Sequence, residues 1–299
     1  MLSRIRLGTR RSGLAVLQAE MVAEELRTML PGIEVEIVKV AAEGDEDQAA
    51  DPIIWGKGAF VRTLEQKCIN GDIDASVHSL KDLPLDLPTG LTIAAIPFRH
   101  DPRDALVTKG GIKLSELKSG ASIGTSSERR AFQIKFLRRD LRIVSMRGNV
   151  DTRVRKVLEH GECDGVILSY AALKRLGLDH LVSEVFDTEL VVPAPGQGAV
   201  AIECRENDVG LIEVFKTIDD PKARLETEIE RLIAKRLGGS CRQPVGVSAH
   251  VIDGRVKVTA ASFMNGCFAK VSIKDDLSSL DELVRNVLHQ LKERSTCPA

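Results

Sequence analysis

Hydrophobic and polar positions alternate along the first part of the chain in a way that predicts strands and helices in turn. Ile5–Leu7 and Val35–Val40 are short apolar runs typical of strands. Between them, leucines recur at helical spacing from Leu14 to Leu30, and Pro31 stops the helix. A strand, a helix and a second strand in this order indicate an α/β domain with a parallel sheet.

The alternation continues, and it starts again after Asp104. The two halves share a local motif, in which a strand leads into a Gly-Thr turn, then a serine at a helix start and a pair of arginines. Leu7–Ser12 carries the motif in the first half and Ile123–Arg130 in the second. We therefore expect two α/β domains of similar construction. The remaining strands are predicted at Asp72–Val77, Leu91–Ile96, Ala121–Ile123, Leu141–Met146, Val166–Leu168 and Ala199–Cys204.

The C-terminal segment has a different pattern, with three alternating strands separated by two-residue turns. Asp253-Gly254 and Asn265-Gly266 are both typical of tight hairpins. A closing helix is predicted at Leu280–Lys292. These features predict a small α+β domain with an antiparallel sheet. Its strands are expected at Val245–Val251, Arg255–Ala261 and Phe268–Ile273.

Cys241 lies on a predicted loop between a helix and these strands. The helix begins after Asp219-Asp220, which offer an N-cap, and Gly238 stands where a left-handed C-cap is wanted. A lone cysteine is most often a small buried hydrophobe. Here the paired glycines and the neighbouring Ser240 and Arg242 favour a loop, on which Cys241 is a candidate nucleophile or anchor for a covalent group.

Basic and hydroxyl side chains recur just after predicted strand ends. In open α/β sheets this edge binds ligands, and helix N-termini add backbone donors and partial positive charge there. Any single arginine of this kind is commonly only solvated. So many at one edge favour a cradle for several carboxylates or phosphates. The set comprises Arg10, Arg11, Arg129, Arg130, Arg147, Arg153, Lys174 and Arg175, with Ser12, Ser126 and Ser127.

Two further motifs give weaker evidence of a functional site. Lys81-Asp82 follows a strand end, where a carboxylate can orient a cation or move a proton, although such a pair is usually a surface feature. His78 beside it is better explained as structural. Gly196–Ala201 has the letters of a dinucleotide-binding motif, but a strand follows it where that motif needs a helix. We therefore reject a nucleotide site.

Composition narrows the classes of function. The 299 residues carry a formal net charge of −1 and few aromatic residues, which argues against a nucleic-acid partner. Six cysteines without a C-x-x-C pair predict reduced thiols, with neither a zinc site nor a disulfide framework. The N-terminus lacks a signal-peptide core, and no apolar run approaches membrane-spanning length. We expect a soluble cytoplasmic protein with no metal and no membrane partner.

Taken together, the motifs resemble those of the porphobilinogen deaminase family. They keep the family's order over nearly the whole chain, so their joint specificity is high. The matching segments are Gly8–Ser12, Gly56–Phe60, His78–Pro84, Asp101–Ala105, Gly124–Arg130, Arg147–Arg153, Leu173–Leu176, Pro195–Val200 and Gly238–Cys241.

The resemblance implies a fold of three domains. The first comprises residues 1–97 and 194–217, the second residues 98–193, and the third residues 218–299. The first two would be α/β domains similar to periplasmic binding proteins, and the third the small α+β domain. The chain would return to the first domain through the Pro/Gly-rich connector near Pro195.

The resemblance also implies a monomeric transferase of heme biosynthesis. Such an enzyme condenses four porphobilinogen molecules head to tail, with loss of ammonia, on a covalently bound dipyrromethane cofactor. Cys241 matches the site of thioether attachment. Asp82 and Lys81 match the catalytic position and are also cofactor-binding matches. The other cofactor-binding matches are Ser127, Arg129, Arg130 and Gly198, and the substrate-binding matches are Arg10, Ser12, Phe60, Arg147, Arg153 and Arg175.

These matches agree with the independent interpretation of the arginines, because each pyrrole carries two carboxylates and a growing chain is a polyanion. A non-catalytic binder of small anions, such as a solute receptor or a sensor domain, is the alternative. Such a protein has no need of the Cys241 loop. An intact mass increased by two pyrrole units supports the enzyme, and an unmodified mass supports the binder.

Overall fold

The computed structural model describes residues 3–41, 59–238, 244–264 and 266–295. The sequence-based expectations for Cys241, Asn265 and the loop at 43–51 therefore lie outside the described residues. The strands are β1 (Arg4–Arg10), β2 (Glu34–Val40), β3 (Ala75–Ser79), β4 (Leu91–Ala95), β5 (Asp104–Thr108), β6 (Ser122–Gly124), β7 (Arg142–Val144), β8 (Gly165–Ser169), β9 (Glu184–Val185), β10 (Val200–Arg205), β11 (Val245–Ile252), β12 (Arg255–Met264) and β13 (Cys267–Asp276).

Helices connect most of these strands, and a short 3-10 helix at Leu80–Asp82 follows β3 directly. No helix in the described ranges is long and apolar enough to cross a membrane. The α-helices are α1 (Gly13–Met29), α2 (Ala59–Ile69), α3 (Glu128–Leu137), α4 (Val150–Leu158), α5 (Tyr170–Arg175), α6 (Val209–Lys216), α7 (Pro221–Arg236) and α8 (Leu280–Arg294).

The chain divides into two compact units, the first of which comprises Met1–His100 and Ala199–Leu225. Its sheet has the order β2-β1-β3-β10-β4. The strand β1 is parallel to β2 and β3, whereas β10 is antiparallel to both of its neighbours. The core on one side of this sheet joins Ile5 and Val77 to Leu26 of α1 and Phe215 of α6.

The second unit comprises Asp101–Gly198 and Glu226–Ala299 and contains two sheets. The larger has the order β7-β6-β8-β5-β9, with β5 antiparallel to β8 and β9. The smaller is the antiparallel sheet β11-β12-β13, packed against α8. The α/β class and the small C-terminal antiparallel sheet are thus confirmed.

The two five-stranded sheets have equivalent topologies. Each has three parallel strands whose middle member comes first in sequence, followed by an antiparallel strand and an edge strand. In the first unit the antiparallel strand is β10, so the chain returns to that sheet after the Pro/Gly-rich connector. The expectation of two similarly built α/β domains is confirmed.

Local turn chemistry follows the sequence closely. Asp253 and Gly254 have φ values of 51° and 74°, which are the left-handed angles of a tight hairpin turn. The Asp220 carboxylate accepts hydrogen bonds from the Lys222 and Ala223 amides and so caps α7. Gly238 ends that helix at a φ of 72°, as predicted for a left-handed cap.

Some elements differ from the prediction. The strand β3 lies at Ala75–Ser79, two to three residues later than the predicted Asp72–Val77, and β5 and α6 were not predicted at all. Cys68, Cys163 and Cys204 are free thiols, but Cys267 is disulfide-bonded. The expectation of reduced thiols throughout is therefore wrong at Cys267.

Candidate functional site

In the first unit, the candidate catalytic residues lie on the tight turn that follows β3. The strand is extended by a hydrogen bond from the Leu80 amide to the Ala199 carbonyl (3.0 Å), and Leu80 is fully buried. The Leu83 amide donates to the Leu80 carbonyl (3.2 Å) and closes the turn. Lys81 is consequently half-buried, whereas Asp82 is exposed and makes no hydrogen bond to another described residue.

A buried glutamine supports this turn from the side of α1. The Gln18 side chain, only 2% exposed, donates from Nε2 to the Ser79 hydroxyl (3.0 Å). The Ser79 hydroxyl also lies 3.2 Å from Gln18 Oε1. Because Ser79 is the last residue of β3, this contact fixes the backbone from which the Lys81-Asp82 turn begins.

The end of β1 carries the first of the predicted substrate-binding residues. Arg10 is the last residue of β1 and is partly buried. Ser12 is the N-cap residue of α1, but its side chain makes no capping hydrogen bond, so its partly exposed hydroxyl remains available to a ligand. Phe60 belongs to the first turn of α2, and its side chain is outside the described part of the molecule.

In the second unit, α3 begins directly beyond the end of β6. Ser127 is its N-cap, and the Ser127 hydroxyl accepts a hydrogen bond from the Arg130 amide (3.5 Å). The Ser127 amide in turn donates to the Thr125 hydroxyl (3.1 Å). This capping arrangement places Arg129 and Arg130 in the first turn of the helix.

Both arginines are buried against one aspartate. Arg129 and Arg130 are 7% and 6% exposed, and Asp104, the first residue of β5, is fully buried. Arg129 Nη1 donates to Asp104 Oδ2 (2.7 Å) and to the Val192 carbonyl (2.6 Å). Arg130 donates to Asp104 Oδ1 from Nε (3.0 Å) and Nη2 (2.7 Å).

Gln197 adds hydrogen bonds to the cluster formed by Arg129, Arg130 and Asp104. Its side-chain amide donates to Asp104 Oδ1 (2.8 Å) and to the Pro102 carbonyl (2.7 Å). Burial alone would raise the pKa of Asp104, but the charges of Arg129 and Arg130 outweigh it and hold this pKa well below its usual range. Asp104 is therefore a permanent anion that orients two buried cations.

The other basic residues differ in how firmly they are held. Half-buried Arg175 donates from Nη2 to the Gly198 carbonyl (2.7 Å), and burial lowers its pKa to about 10. Arg153 donates from Nε to the Gly148 carbonyl (2.7 Å). Arg147 is exposed and forms no hydrogen bond or ion pair with another described residue.

Gly198 has a φ of 89°, a left-handed conformation that favours glycine. Its carbonyl is the acceptor for Arg175, so it acts as a backbone support within the second unit.

Asp104 and Gln197 were not predicted to belong to the site with Arg129 and Arg130. Both lie in the matching segments Asp101–Ala105 and Pro195–Val200, but the sequence alone indicated no role for either residue. The only signal available was a charged residue opening a run of apolar residues, Ala105–Val107. A carboxylate in that position needs buried partners, and those partners are distant in sequence.

The cluster fits a ligand with several carboxylates. Arg129 and Arg130 carry two positive charges, against the one negative charge of Asp104. In addition, Arg129 Nε is buried and has no hydrogen-bond partner in the described part of the chain. An unsatisfied buried donor on a cation is costly, and an anionic ligand would satisfy it.

Comparisons with known proteins agree with this chemistry. Residues 5–213 match a family model described as "Porphobilinogen deaminase, dipyromethane cofactor binding domain". A porphobilinogen deaminase of Caldicellulosiruptor saccharolyticus is 40% identical over 291 residues, covering 96% of this chain and 99% of the relative. One from a Roseiflexus species is 45% identical over 247 residues, covering 82% of this chain and 81% of the relative.

Among solved structures, the methionine-binding protein MetQ matches with a TM-score of 0.48 and 14% identity, covering 77% of this chain and 96% of that one. The family model spans more than half of the chain, and the first relative is similar almost from end to end. The chain therefore belongs to the porphobilinogen deaminase family.

Proposed function

We propose that Asp82 is the catalytic carboxylate of this enzyme and that Cys241 carries its cofactor. As a porphobilinogen deaminase, the enzyme is a transferase of heme biosynthesis. It condenses four porphobilinogen molecules head to tail, with loss of ammonia, and releases the linear tetrapyrrole hydroxymethylbilane. The observation that carries the proposal is the buried pair Arg129 and Arg130, in which Arg129 Nε has no hydrogen-bond partner in the described part of the chain, because the dipyrromethane cofactor is a polycarboxylate.

In this proposal, Arg129, Arg130 and Ser127 bind cofactor carboxylates, assisted by Lys81 and by the backbone at Gly198. When bound, the dipyrromethane supplies the pyrrole carbon on which the chain is built. The arginines meet the carboxylates in a preorganised state, because Asp104 and Gln197 already fix the guanidinium of Arg130. Little side-chain entropy is then lost on binding.

In this proposal, Asp82 lies beside the substrate carbon that loses the amine. Positive charge develops there as the amine leaves, next to the pyrrole N–H. An ionised carboxylate that is exposed and makes no hydrogen bond to another described residue is available to accept that N–H and to stabilise the charge. Its position on a turn anchored by buried Leu80 holds it in place beforehand.

The incoming substrate also carries two carboxylates, for which the more accessible basic residues are suited. We assign the binding of these groups and of the growing chain to Arg10, Ser12, Phe60, Arg147, Arg153 and Arg175. We also propose that the enzyme is a cytoplasmic monomer with domains at 1–97 with 194–217, 98–193 and 218–299.

The proposal is tested first by the intact mass of the purified protein. An increment equal to two pyrrole units is expected, together with release of hydroxymethylbilane from porphobilinogen. A protein with the unmodified mass and no turnover would instead be a binder of small anions.

Replacing Arg129 or Arg130 with leucine is expected to reduce cofactor loading. Either change removes a cation that a cofactor carboxylate needs and leaves Asp104 with one arginine fewer. Breaking a buried ion pair costs about 3–5 kcal/mol, so the thermal unfolding temperature should fall as well. Intact mass measures the loading, and calorimetry measures the stability. Full loading in both variants would contradict the proposed role of this pair.

Replacing Arg147 with leucine should leave both cofactor loading and unfolding temperature unchanged, because this side chain is exposed and has no ion-pair partner among the described residues. We expect the KM for porphobilinogen to rise, with a smaller change in kcat. Steady-state kinetics at several salt concentrations make the measurement. Wild-type KM would show that Arg147 is only solvated.

A further inference from the structure

A second group of ionisable residues lies inside the first unit and has no part in the site described above. It consists of Glu65 on α2, His78 on β3 and Glu203 on β10, together with Ser76. Glu65 and His78 are each 6% exposed, and Ser76 and Glu203 are fully buried. Carboxyl groups are rarely buried so completely unless they are paired.

The register of the sheet places these residues on one face. Ser76 and His78 are two residues apart on β3 and so point to the same side, and Glu203 is the direct partner of Ser76 on β10. Helix α2 covers this face of the sheet. Its Val61 packs with Leu80, which continues the alternation of Ser76 and His78, and with Ala201, which lies two residues before Glu203 on β10. Glu65, one turn after Val61, therefore enters the cluster from the helix.

Only one oxygen of Glu203 is satisfied. The Ser76 hydroxyl donates to Glu203 Oε2 (3.2 Å), and His78 Nε2 lies 3.2 Å from the same oxygen and 2.9 Å from Ser76 Oγ. The second oxygen, Glu203 Oε1, is buried and has no hydrogen-bond partner among the described residues. The same is true of Glu65 Oε1.

Burial raises the pKa of Glu65, and the nearby Glu203 raises it further. The positive groups that oppose this are Arg62, on α2 itself, and His78 when protonated. Two carboxyl groups in so dry a site cannot both be ionised at low cost. Glu203 Oε2 accepts a hydrogen bond from the Ser76 hydroxyl and lies 3.2 Å from His78 Nε2, so the proton is better placed on Glu65.

We propose that Glu65 is protonated at neutral pH and shares its proton with Glu203, in a carboxyl–carboxylate pair that ties α2 to β3 and β10. The Glu65–Glu203 pair lies on the face of the sheet beside β3, and His78 of that strand is four residues before Asp82. Glu65 is thus a positioning residue for the Lys81-Asp82 turn. It acts through β3 and does not touch the substrate.

The sign of the pH dependence follows from the raised pKa. An acid whose pKa is higher in the folded state contributes its full stability below the unfolded-state pKa and loses it as the pH rises through the folded-state pKa. Ionisation of Glu65 at alkaline pH should therefore loosen the contact among α2, β3 and β10. Activity should then fall mainly through kcat, since the turn that carries Asp82 is displaced while Arg129 and Arg130 in the second unit are unaffected.

The test compares wild type with Glu65→Gln, which keeps a neutral group able to donate to Glu203. Glu25→Gln, at an exposed position on α1, is the matched control. Infrared spectra at neutral pH should show the carbonyl stretch of a protonated carboxyl in wild type and in Glu25→Gln, but not in Glu65→Gln. The wild-type spectrum decides the matter even if Glu65→Gln folds poorly, since absence of that band overturns the proposal.

Unfolding temperatures and pH–rate profiles provide the second measurement. From about pH 5 to about pH 9, the unfolding temperature of wild type should fall by about 3 °C or more relative to Glu65→Gln. The alkaline decline of kcat should shift to higher pH in Glu65→Gln, with a smaller change in KM. Parallel profiles for wild type and Glu65→Gln would overturn the proposal, and Glu25→Gln should follow wild type throughout.

Discussion

Replacing Cys241 with serine is expected to give a folded protein that carries no dipyrromethane and has no measurable turnover. The cofactor is held by a thioether, and a serine hydroxyl does not provide the sulfur that this bond needs. The intact mass should equal that of the bare chain, and product formation should be lost. The unfolding temperature should also fall relative to the loaded enzyme, because bound cofactor stabilises only the folded state.

The described cysteines are poor substitutes for Cys241. Burial raises the pKa of the Cys68 thiol to about 11 and that of Cys204 to about 12, so neither is a thiolate at neutral pH. Cys163 is buried too, with its pKa raised and its Sγ 3.0 Å from the Gly165 carbonyl. Cys267 is disulfide-bonded.

Cys297→Ser is the informative control, since Cys297, like Cys241, lies outside the described residues. That variant should keep both the cofactor and the activity. Peptide mapping of wild type should find the added mass on the peptide containing Cys241. A Cys241→Ser protein that still carries two pyrrole units would show that another cysteine is the attachment site.

The parts of the fold that depend on local patterns were predictable from the sequence. Short apolar runs and helical spacing located β1, α1 and β2, and Asp253-Gly254 located a hairpin because its left-handed angles suit those residues. The cap at Gly238 follows from the same local chemistry. Such features need no knowledge of distant contacts, which is why the sequence-based prediction was successful there.

The features that could not be predicted from the sequence depend on residues that are far apart along the chain. The strand β5 was missed because it opens with Asp104, whose charge is acceptable in a sheet only beside Arg129, Arg130 and Gln197. Likewise, Glu203 stands in the middle of β10 and is tolerated only because Ser76 and His78 meet it there. Judged from the hydrophobic pattern of the sequence alone, both carboxylates would be assigned to the surface.

The same limitation applies to the candidate site. The arginines were identified from their positions after strand ends, but the sequence did not distinguish exposed Arg147 from buried Arg129 and Arg130. This difference in burial determines the expected effect of each substitution. Loss of a buried arginine should affect folding and cofactor loading together, whereas loss of an exposed one should change mainly the affinity for substrate.

Replacing Asp82 with asparagine is expected to lower kcat by about a hundredfold or more while the protein remains folded. Asparagine keeps the size of the side chain and one acceptor oxygen but removes the negative charge. Asp82 is exposed and makes no hydrogen bond to another described residue, so the substitution should leave the unfolding temperature unchanged. Since the charge is most useful as the amine departs, turnover should fall far more than the affinity for porphobilinogen.

The measurements are intact mass, thermal unfolding and steady-state formation of hydroxymethylbilane, with Asp86→Asn as a control for an exposed acid shortly after the same turn. Cofactor loading is expected to persist in Asp82→Asn, because Arg129, Arg130 and Cys241 are the residues proposed to hold the cofactor. Loss of turnover without loss of cofactor or of stability separates chemistry from binding. A folded and loaded Asp82→Asn enzyme with near wild-type turnover would reduce Asp82 to a structural neighbour of Lys81, and the charge at the reacting carbon would need another source.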